Sequence, residues 1–355
     1  MAPKVSIILP CYRAERYIAD MVGDVIRQTF SDWELIVVSN GAEQEPQLAI
    51  LEELKHSAGG GKITILSEEK GSVSRARNIG IDHATGEWLV FVDADDRLEP
   101  NHLQLLVDAT HTGEPDIIVG GGSSCNAKGT LIRSTKLCEH EMMVSKRWLM
   151  ELKGKPTRVL RTQMYRASLV KDHQLRFDEK WTYGEDTIFS CQCILAAERI
   201  KAIPRVGYRY ISHRASVTKS YMASLYGSKV VQLSYEGRIL QQAGFSKEEI
   251  KAVVHQRKYT DVKDSLSNLF LPHCPLKYSE KVREVRRIVF EDPDMPDVMR
   301  KEDRKEHGIY NRFVFDVAYD LHSPQLIAFV SCFLDPVVKF WREHIKVLLR
   351  RQPSN

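Results

Sequence analysis

The stretch WLVFVDADDRL, residues 88–98, sets Asp93, Asp95 and Asp96 at the end of an apolar run. Like charges this close repel one another, and each is costly to take out of water. Such a tip is either a solvated acidic turn or the seat of a cation. Mg2+ and Mn2+ take oxygen ligands of this kind and usually fill the rest of their shell with water and substrate phosphates. Taken alone, the pattern does not choose between the two readings.

The elements around the tip narrow the choice. KVSIIL (4–9) is a short apolar run stopped by Pro10, which suits a buried strand. Residues 15–28 space Ile18, Met21, Val22, Val25 and Ile26 at helical intervals. WELIVVSNG (33–41) reads as a second strand and PQLAILEELKHS (46–57) as a second helix. KITIL (62–66) reads as a third strand, SVSRARNIGIDHATG (72–86) as a third helix closed by Gly86, and EWLVFVDADD (87–96) as a fourth strand. Four strand–helix alternations in succession predict a parallel sheet with helices on both faces, whose ligands lie beyond the carboxyl ends of the strands. The acids stand at such an end.

Further along the pattern loosens. HLQLLVDATHT (102–112) and SKRWLMELKG (145–154) read as helices, DIIVGGGSS (116–124) as a strand running into a glycine turn, and 130–139 as another strand. FSKEEIKAVV opens a helix with a Ser246/Glu249 capping box, and SEKVREVRRIVF (279–290) is amphipathic. The boundary between an N-terminal domain (1–225) and a C-terminal mainly helical region (226–355) is placed near 220–230. HSAGGGK (56–62) lacks the arrangement of a nucleotide-binding P-loop and reads as a loop.

Composition bounds the rest. The 355 residues are 43% apolar, enough for a substantial core, and the formal charge of +4 gives no case for a nucleic-acid binder. No signal-peptide layout and no spanning helix is read from the chain. The seven cysteines are scattered, and the Cys191-x-Cys193 pair has no partner pair at zinc spacing, so reduced thiols in a cytoplasmic protein are expected.

The motifs GSVSRARNIGIDHATGEWLVFVDADD and PCYRAERYI, followed by TYGEDTIF (182–189) and YRYISHRASVT (208–218), resemble family 2 glycosyltransferases of the GT-A fold over residues 3–220. The resemblance implies an α/β fold, with a Rossmann-like mixed sheet and helices on both faces. Residues 1–100 would be the nucleotide-sugar half and 101–225 the acceptor half. It implies a nucleotide-diphosphate sugar donor, a uridine one by default, and inverting transfer to a saccharide or lipid-linked saccharide hydroxyl. Asp95 would be the ligand of Mn2+ or Mg2+. Asp93 would face the ribose or the metal's water, and Asp96 the sugar or metal shell.

By the same resemblance Pro10, Tyr12, Glu15, Asn40, Arg77 and Ala94 line the donor site. Arg209 and His213 would meet the diphosphate, with His213 a further candidate metal ligand. Asp186 would be the base that takes the acceptor proton, and Glu185 would bind or orient the acceptor. Two residues also admit plainer readings, Arg77 as a salt bridge to a neighbouring acid and Asp186 as an ordinary helix N-terminus. One departure stands out. The family commonly has Asp-Asp-Gly-Ser after the second strand, and here the chain reads Ser39-Asn40-Gly41-Ala42. Asn40 can accept and donate, which leaves the base preference open.

Residues 326–350 join a short apolar piece to a basic amphipathic one across Pro336. The second piece suits the headgroup region of an anionic leaflet, or packing on the domain or a second subunit. The expected setting is bacterial surface polysaccharide or glycolipid assembly, cytoplasmic or peripheral on the inner face of the membrane, with a homo-oligomer admitted. The rival functions are a catalytically silent scaffold that binds a nucleotide sugar or glycan, and a nucleotidyltransferase. The latter would want a glycine-rich basic loop after the first strand, which PCYRAERY is not.

Overall fold

The computed structural model describes residues 4–42, 45–57, 61–137, 140–142, 162–212, 221–271, 273–299 and 317–329. The expected helix at 145–154, Cys138, Cys332, His213 and the tail after residue 329 lie outside the described residues. The chain forms two compact units, Met1–Ser216 with Ser234–Lys247, and Val217–Leu233 with Glu248–Asn355.

The first unit is built on β1 (Val5–Cys11), β2 (Trp33–Asn40), β3 (Ile63–Glu68) and β4 (Trp88–Phe91). All three pairings among them, β3 with β2, β2 with β1 and β1 with β4, are parallel. The near-continuous apolar runs follow from burial on both faces. Val5, Ile7, Leu9 and Cys11 join one core cluster with Ile18, Met21, Val22 and Val25 of α1 (Ile18–Ile26) and Leu51 of α2 (Glu45–Ser57). Ile8 points the other way, onto Gly80 of α3 (Val73–His83). Full burial of each aliphatic side chain in these layers stabilises the fold by about 1.5–3 kcal/mol.

The expected parallel order holds here, and the chain beyond residue 100 extends it with antiparallel strands. β10 (Gln163–Arg166) runs antiparallel between β4 and β6 (Ile117–Gly120), β11 (Ile200–Ile203) lies parallel to β6, and β9 (His140–Met142) closes the edge. The order of this eight-stranded sheet is β3-β2-β1-β4-β10-β6-β11-β9. A smaller sheet has the order β5-β12-β7-β8, with β5 at Arg97–Leu98, β7 at Ser123–Asn126, β8 at Leu131–Ser134 and β12 at Tyr208–Ser212.

Several boundaries differ from the sequence reading. β1 runs through Pro10 to Cys11: the β4 ladder ends at Ile8 and Phe91, while β2 stays in register beside Pro10 and Cys11 as far as Ser39. α1 begins at Ile18 because Ala14 C=O closes a turn on the amides of Tyr17 and Ile18. α3 ends at His83, and Gly86 lies beyond it, its amide donating to Ser6 Oγ at 2.8 Å. Residues 116–124 are two strands in different sheets, joined through Gly120–Gly122. Helix α4 (His102–Asp108) gives way to a 3-10 turn at Ala109–His111.

In the second unit, α8 (Lys247–Leu269), α9 (Tyr278–Val289), α10 (Met295–Val298), α11 (Val317–Asp320) and α12 (Pro324–Phe329) accompany the first half of α7 (Leu225–Gln242). Its core gathers Val262, Leu266, Val285, Ile288, Met295 and Ile327. Two buried lysines are neutralised there, Lys229 by Asp261 at 2.7 Å and Lys258 by Asp292 at 2.5 Å. Among the described residues, no helix is long and apolar enough to cross a membrane.

His102, at the start of α4, is fully buried edge-on to Tyr208, and neither ring nitrogen has a hydrogen-bond partner. Burial pushes its pKa down from 6.5 to about 3, so the folded state holds it neutral. Between those values the unfolded chain binds a proton that the folded one does not, so stability falls as the pH falls from 6.5 towards 3. The predicted loss is about 1 kcal/mol per pH unit. His102→Phe should flatten the stability profile over that window by this amount in denaturant titrations; an unchanged acid limb would contradict the assignment.

Candidate active site

The acids after β4 form a turn rather than a continuation of the strand. The Asp96 amide donates to Asp93 C=O at 3.2 Å, which places Asp95 at the exposed tip. The Asp96 carboxylate points inward, 1% exposed, accepting from Tyr208 Oη at 2.7 Å and the Ile211 amide at 2.8 Å. Tyr208 Oη in turn accepts from the Asp93 amide at 3.2 Å. Asp96 is therefore a buried anchor onto β12, not a member of the sugar or metal shell as expected. Two bonds to its carboxylate repay the cost of burying it.

Arg77 projects from α3 towards this turn, its side chain 5% exposed. Nη2 donates to Asp93 Oδ1 at 2.9 Å and Nη1 to Glu185 Oε1 at 3.0 Å. One guanidinium thus joins the Asp-x-Asp turn to the Glu-Asp pair, and the salt-bridge reading of Arg77 is the one the structure draws. Glu185 opens α6 (Glu185–Ala196), after Gly184 in the left-handed region at φ 77°, a conformation that favours glycine. Asp186 is half-buried beside it, its Oδ1 accepting from the Thr187 amide at 2.7 Å.

The electrostatics are those of too few cations. Burial pushes Arg77 down, but Asp93, Glu185 and Asp186 together outweigh it and hold the guanidinium charged. Burial pushes the Glu185 carboxyl up and Asp186 adds to this, while Arg77 pulls the other way and does not compensate. The two partners shift in senses that look inconsistent for one ion pair. They follow from three carboxylates drawing on a single positive charge.

The segment leading into α6 is tied to the same helix. Asn78 Nδ2 donates to Phe177 C=O at 2.9 Å and its Oδ1 accepts the Phe177 amide at 2.9 Å. The Phe177 ring lies under Arg77, 5.2 Å from the guanidinium carbon, and stacks on Phe189 of α6 at 4.0 Å, with Phe91 of β4 edge-on to both.

At the ends of β1 and β2 the chain builds a flat apolar platform. Tyr12 is 54% exposed; the Cδ2–Cε2 edge of its ring lies over Gly41 and Gly71, and the Arg13 guanidinium carbon stands 5.4 Å from the ring centre. Gly41 has φ 106°, and a Cβ there would lie 2.7 Å from Tyr12 Cε2, so only glycine fits. Pro10 and Ala94 are buried nearby in sequence, at the ends of β1 and β4. Asn40 is buried; with its amide oriented to satisfy both ends, Nδ2 donates to Cys11 C=O at 2.8 Å and Oδ1 accepts the Ser72 amide at 3.2 Å. An aspartate could not make the first bond. Gln47 closes the same corner, donating to Cys11 C=O at 3.1 Å and Ser39 Oγ at 2.6 Å. Burial, with Glu15 adding to it, pushes the Cys11 thiol up to about 12, so it stays protonated. The described cysteines Cys11, Cys125, Cys191, Cys193 and Cys274 are all free.

Arg209 is not brought to the acids. On β12 Tyr208 and Ile211 are buried and Arg209 is exposed, where its Nε and Nη2 each donate to Glu99 Oε1 at 3.0 Å. Sequence reasoning missed Tyr208, the inward neighbour of Arg209. No alternation in YRYIS marks it, because the two buried residues of β12, Tyr208 and Ile211, are three positions apart.

A divalent cation fits the donor set. Asp95 is exposed and the Asp93 side chain is 21% exposed, two hard oxygen donors on one tight turn. Among the described residues no cluster of three His, Cys, Asp or Glu is placed to hold a metal unaided, so phosphates and water would complete the shell. Removing Arg77 would leave two part-buried acids without their shared cation. Arg77→Ala should therefore destabilise the fold by about 3–5 kcal/mol in denaturant titrations. Adding Asp93→Asn and Glu185→Gln should recover part of that loss; no recovery would contradict the shared-cation account.

The family model described as Glycosyl transferase family 2 matches residues 6–174. An uncharacterized glycosyltransferase, EpsJ of Bacillus subtilis (strain 168), is 26% identical over 298 residues, spanning 80% of this chain and 84% of EpsJ. The poly(ribitol-phosphate) beta-N-acetylglucosaminyltransferase TarS of Staphylococcus aureus (strain Mu50 / ATCC 700699) is 27% identical over 230 residues. That alignment spans 63% of this chain but only 38% of TarS. The crystal structure of S. aureus TarS 1–349 in complex with UDP superposes with a TM-score of 0.64 at 17% identity, covering 92% of this chain and 90% of that one. That likeness is one of fold, and it matches the mixed sheet and the helical C-terminal region. Sequence motifs, domain match and fold agree: the chain carries a family 2 glycosyltransferase domain of the GT-A fold.

Proposed function

We propose that the chain transfers a sugar from a nucleotide-diphosphate donor, a UDP-sugar in the first instance, to a hydroxyl acceptor with inversion. The observation that carries this reading is the Arg77 bridge, which puts the Asp-x-Asp turn and the Glu185-Asp186 pair around one centre. TarS has been crystallised with UDP and with UDP-GlcNAc on the same fold, which supports a uridine donor and an N-acetylhexosamine as the first sugar to try. By the same likeness, the acceptor is a saccharide or polyol of a cell-surface polymer or glycolipid.

The chemistry follows from the residues. The exposed face of Tyr12 takes the base, and Asn40 holds the platform beneath it together. Asp93 takes the ribose, and Asp95, with Asp93, would hold Mn2+ or Mg2+. A bound divalent ion supplies positive charge where the leaving diphosphate gains negative charge. Asp186 accepts the proton of the acceptor hydroxyl as that oxygen bonds to the anomeric carbon. The carbon–oxygen bond to the phosphate breaks on the opposite face, and its electron pair leaves with the diphosphate. Glu185 does not serve as base, because Arg77 occupies its carboxylate; it fixes the first turn of α6 and so the place of Asp186.

His213 and the basic tail enter this proposal from the sequence alone, the first as a diphosphate or metal contact and the second as a peripheral contact with an anionic leaflet from the cytoplasmic side, or with another copy of the chain. Retention of the protein on vesicles containing anionic lipid, lost on truncation after residue 329, tests the membrane contact.

Two substitutions test the catalytic assignment. Asp95→Ala should abolish the rise in melting temperature that Mn2+ gives in the presence of UDP. Asp186→Asn should keep that rise while transfer from the donor drops by about 10²–10⁴-fold. If no nucleotide sugar responds to metal in the unaltered protein, the silent scaffold takes the lead; equal turnover by Asp186→Asn removes Asp186 as the base.

A further inference from the structure

The bridge at Arg77 has a consequence for the order of events, and it rests on the donor reading above. Asp93 and Glu185 each hold one end of the same guanidinium, through Nη2 and Nη1. The guanidinium is buried, fixed on α3 above the Phe177 ring, and its planar fork cannot follow either acid without leaving the other. Asp93 is also the acid that reaches solvent at the donor side. Arg77 bonds Asp93 through Oδ1 alone, so a cation or ribose hydroxyl that engages the carboxylate draws on the same negative charge, and what Arg77 loses at Asp93 is available to Glu185.

We propose that Arg77 is a positioning residue that couples donor binding to the acceptor-side acids. Occupation of Asp93 by the metal–nucleotide complex shifts the guanidinium's charge onto Glu185, fixes the first turn of α6, and sets Asp186 for the acceptor. The acceptor-side acids, already joined to Arg77 through Glu185, are then held more firmly when a donor is bound, which favours donor binding first. By linkage the coupling runs both ways, so a change at Glu185 is felt at the donor site, although Glu185 touches no donor.

Calorimetric titration of UDP in the presence of Mn2+ tests this on the full chain, in the unaltered protein, Glu185→Gln, Arg77→Lys and the double variant, each checked for a cooperative melt. Glu185→Gln leaves Asp93 as the only acid on Arg77, so UDP should bind about tenfold more weakly, a typical size for coupling between sites. In the Arg77→Lys background, where a point charge cannot span both acids, the same change should have less than a twofold effect (about 0.4 kcal/mol by RT ln 2). Equal effects in both backgrounds, or none in either, would overturn the coupling while leaving donor binding intact. Absence of UDP binding in the unaltered protein would overturn the donor reading and the coupling together. A second readout needs no glutamate variant: amide exchange over Glu185–Phe189 should slow when Mn2+ and UDP are added to the unaltered protein, and unchanged exchange there would also overturn the proposal.

Discussion

One buried guanidinium holds the two halves of this domain in register. Arg77 sits on a helix of the nucleotide half and reaches the acid at the end of β4 and the acid that opens α6, 108 positions further along the chain. Removing such a group from water costs several kcal/mol, and only bonds to both acids offset that. The neighbouring groups make the arrangement unique. Asn78 fixes the backbone at Phe177, the Phe177–Phe189 stack seats α6, and Tyr208 with Asp96 fixes the turn whose first acid Arg77 holds.

The same arrangement explains how acids are distributed over roles. Five carboxylates in two short motifs look interchangeable in sequence, yet burial separates them. Asp96 is enclosed and spends its oxygens on β12, Asp95 stands in water at the tip, and Asp93 and Glu185 share a cation. Burial, with Asp186 adding to it, pushes Glu185 towards its neutral form, and Arg77, which it shares with Asp93, does not offset this. Asp186, beside it and half-buried, is the acid to which the proposal gives the acceptor proton.

Much of this was legible in the chain. The apolar runs of β1, β2 and β4 announced strands buried on both faces, and the amphipathic spacing of α1 named the core side of that helix. The order of Asp-x-Asp and Glu-Asp motifs pointed to the family. What was not legible depends on long-range placement. β10 is a four-residue strand inserted between β4 and β6 by pairings that no local pattern encodes. The inward turn of Asp96 is set by its bond to the Ile211 amide, and the outward turn of Arg209 by Glu99, both contacts between residues more than a hundred positions apart. The double use of Arg77 could be read as a salt bridge but not as one to two motifs, since nothing in the sequence says that residue 185 lies beside residue 93. Asn40 was seen as a departure from the family pattern, and only the packing shows that its amide ties Cys11 to Ser72.

The most direct test of the central claim is a crystal structure of the chain with UDP and Mn2+. The account predicts the base on the open face of Tyr12, the metal on Asp95 with the diphosphate, and Arg77 still bonded to Glu185 with its contact to Asp93 lengthened. A nucleotide bound elsewhere, or a metal held away from Asp95, would contradict it.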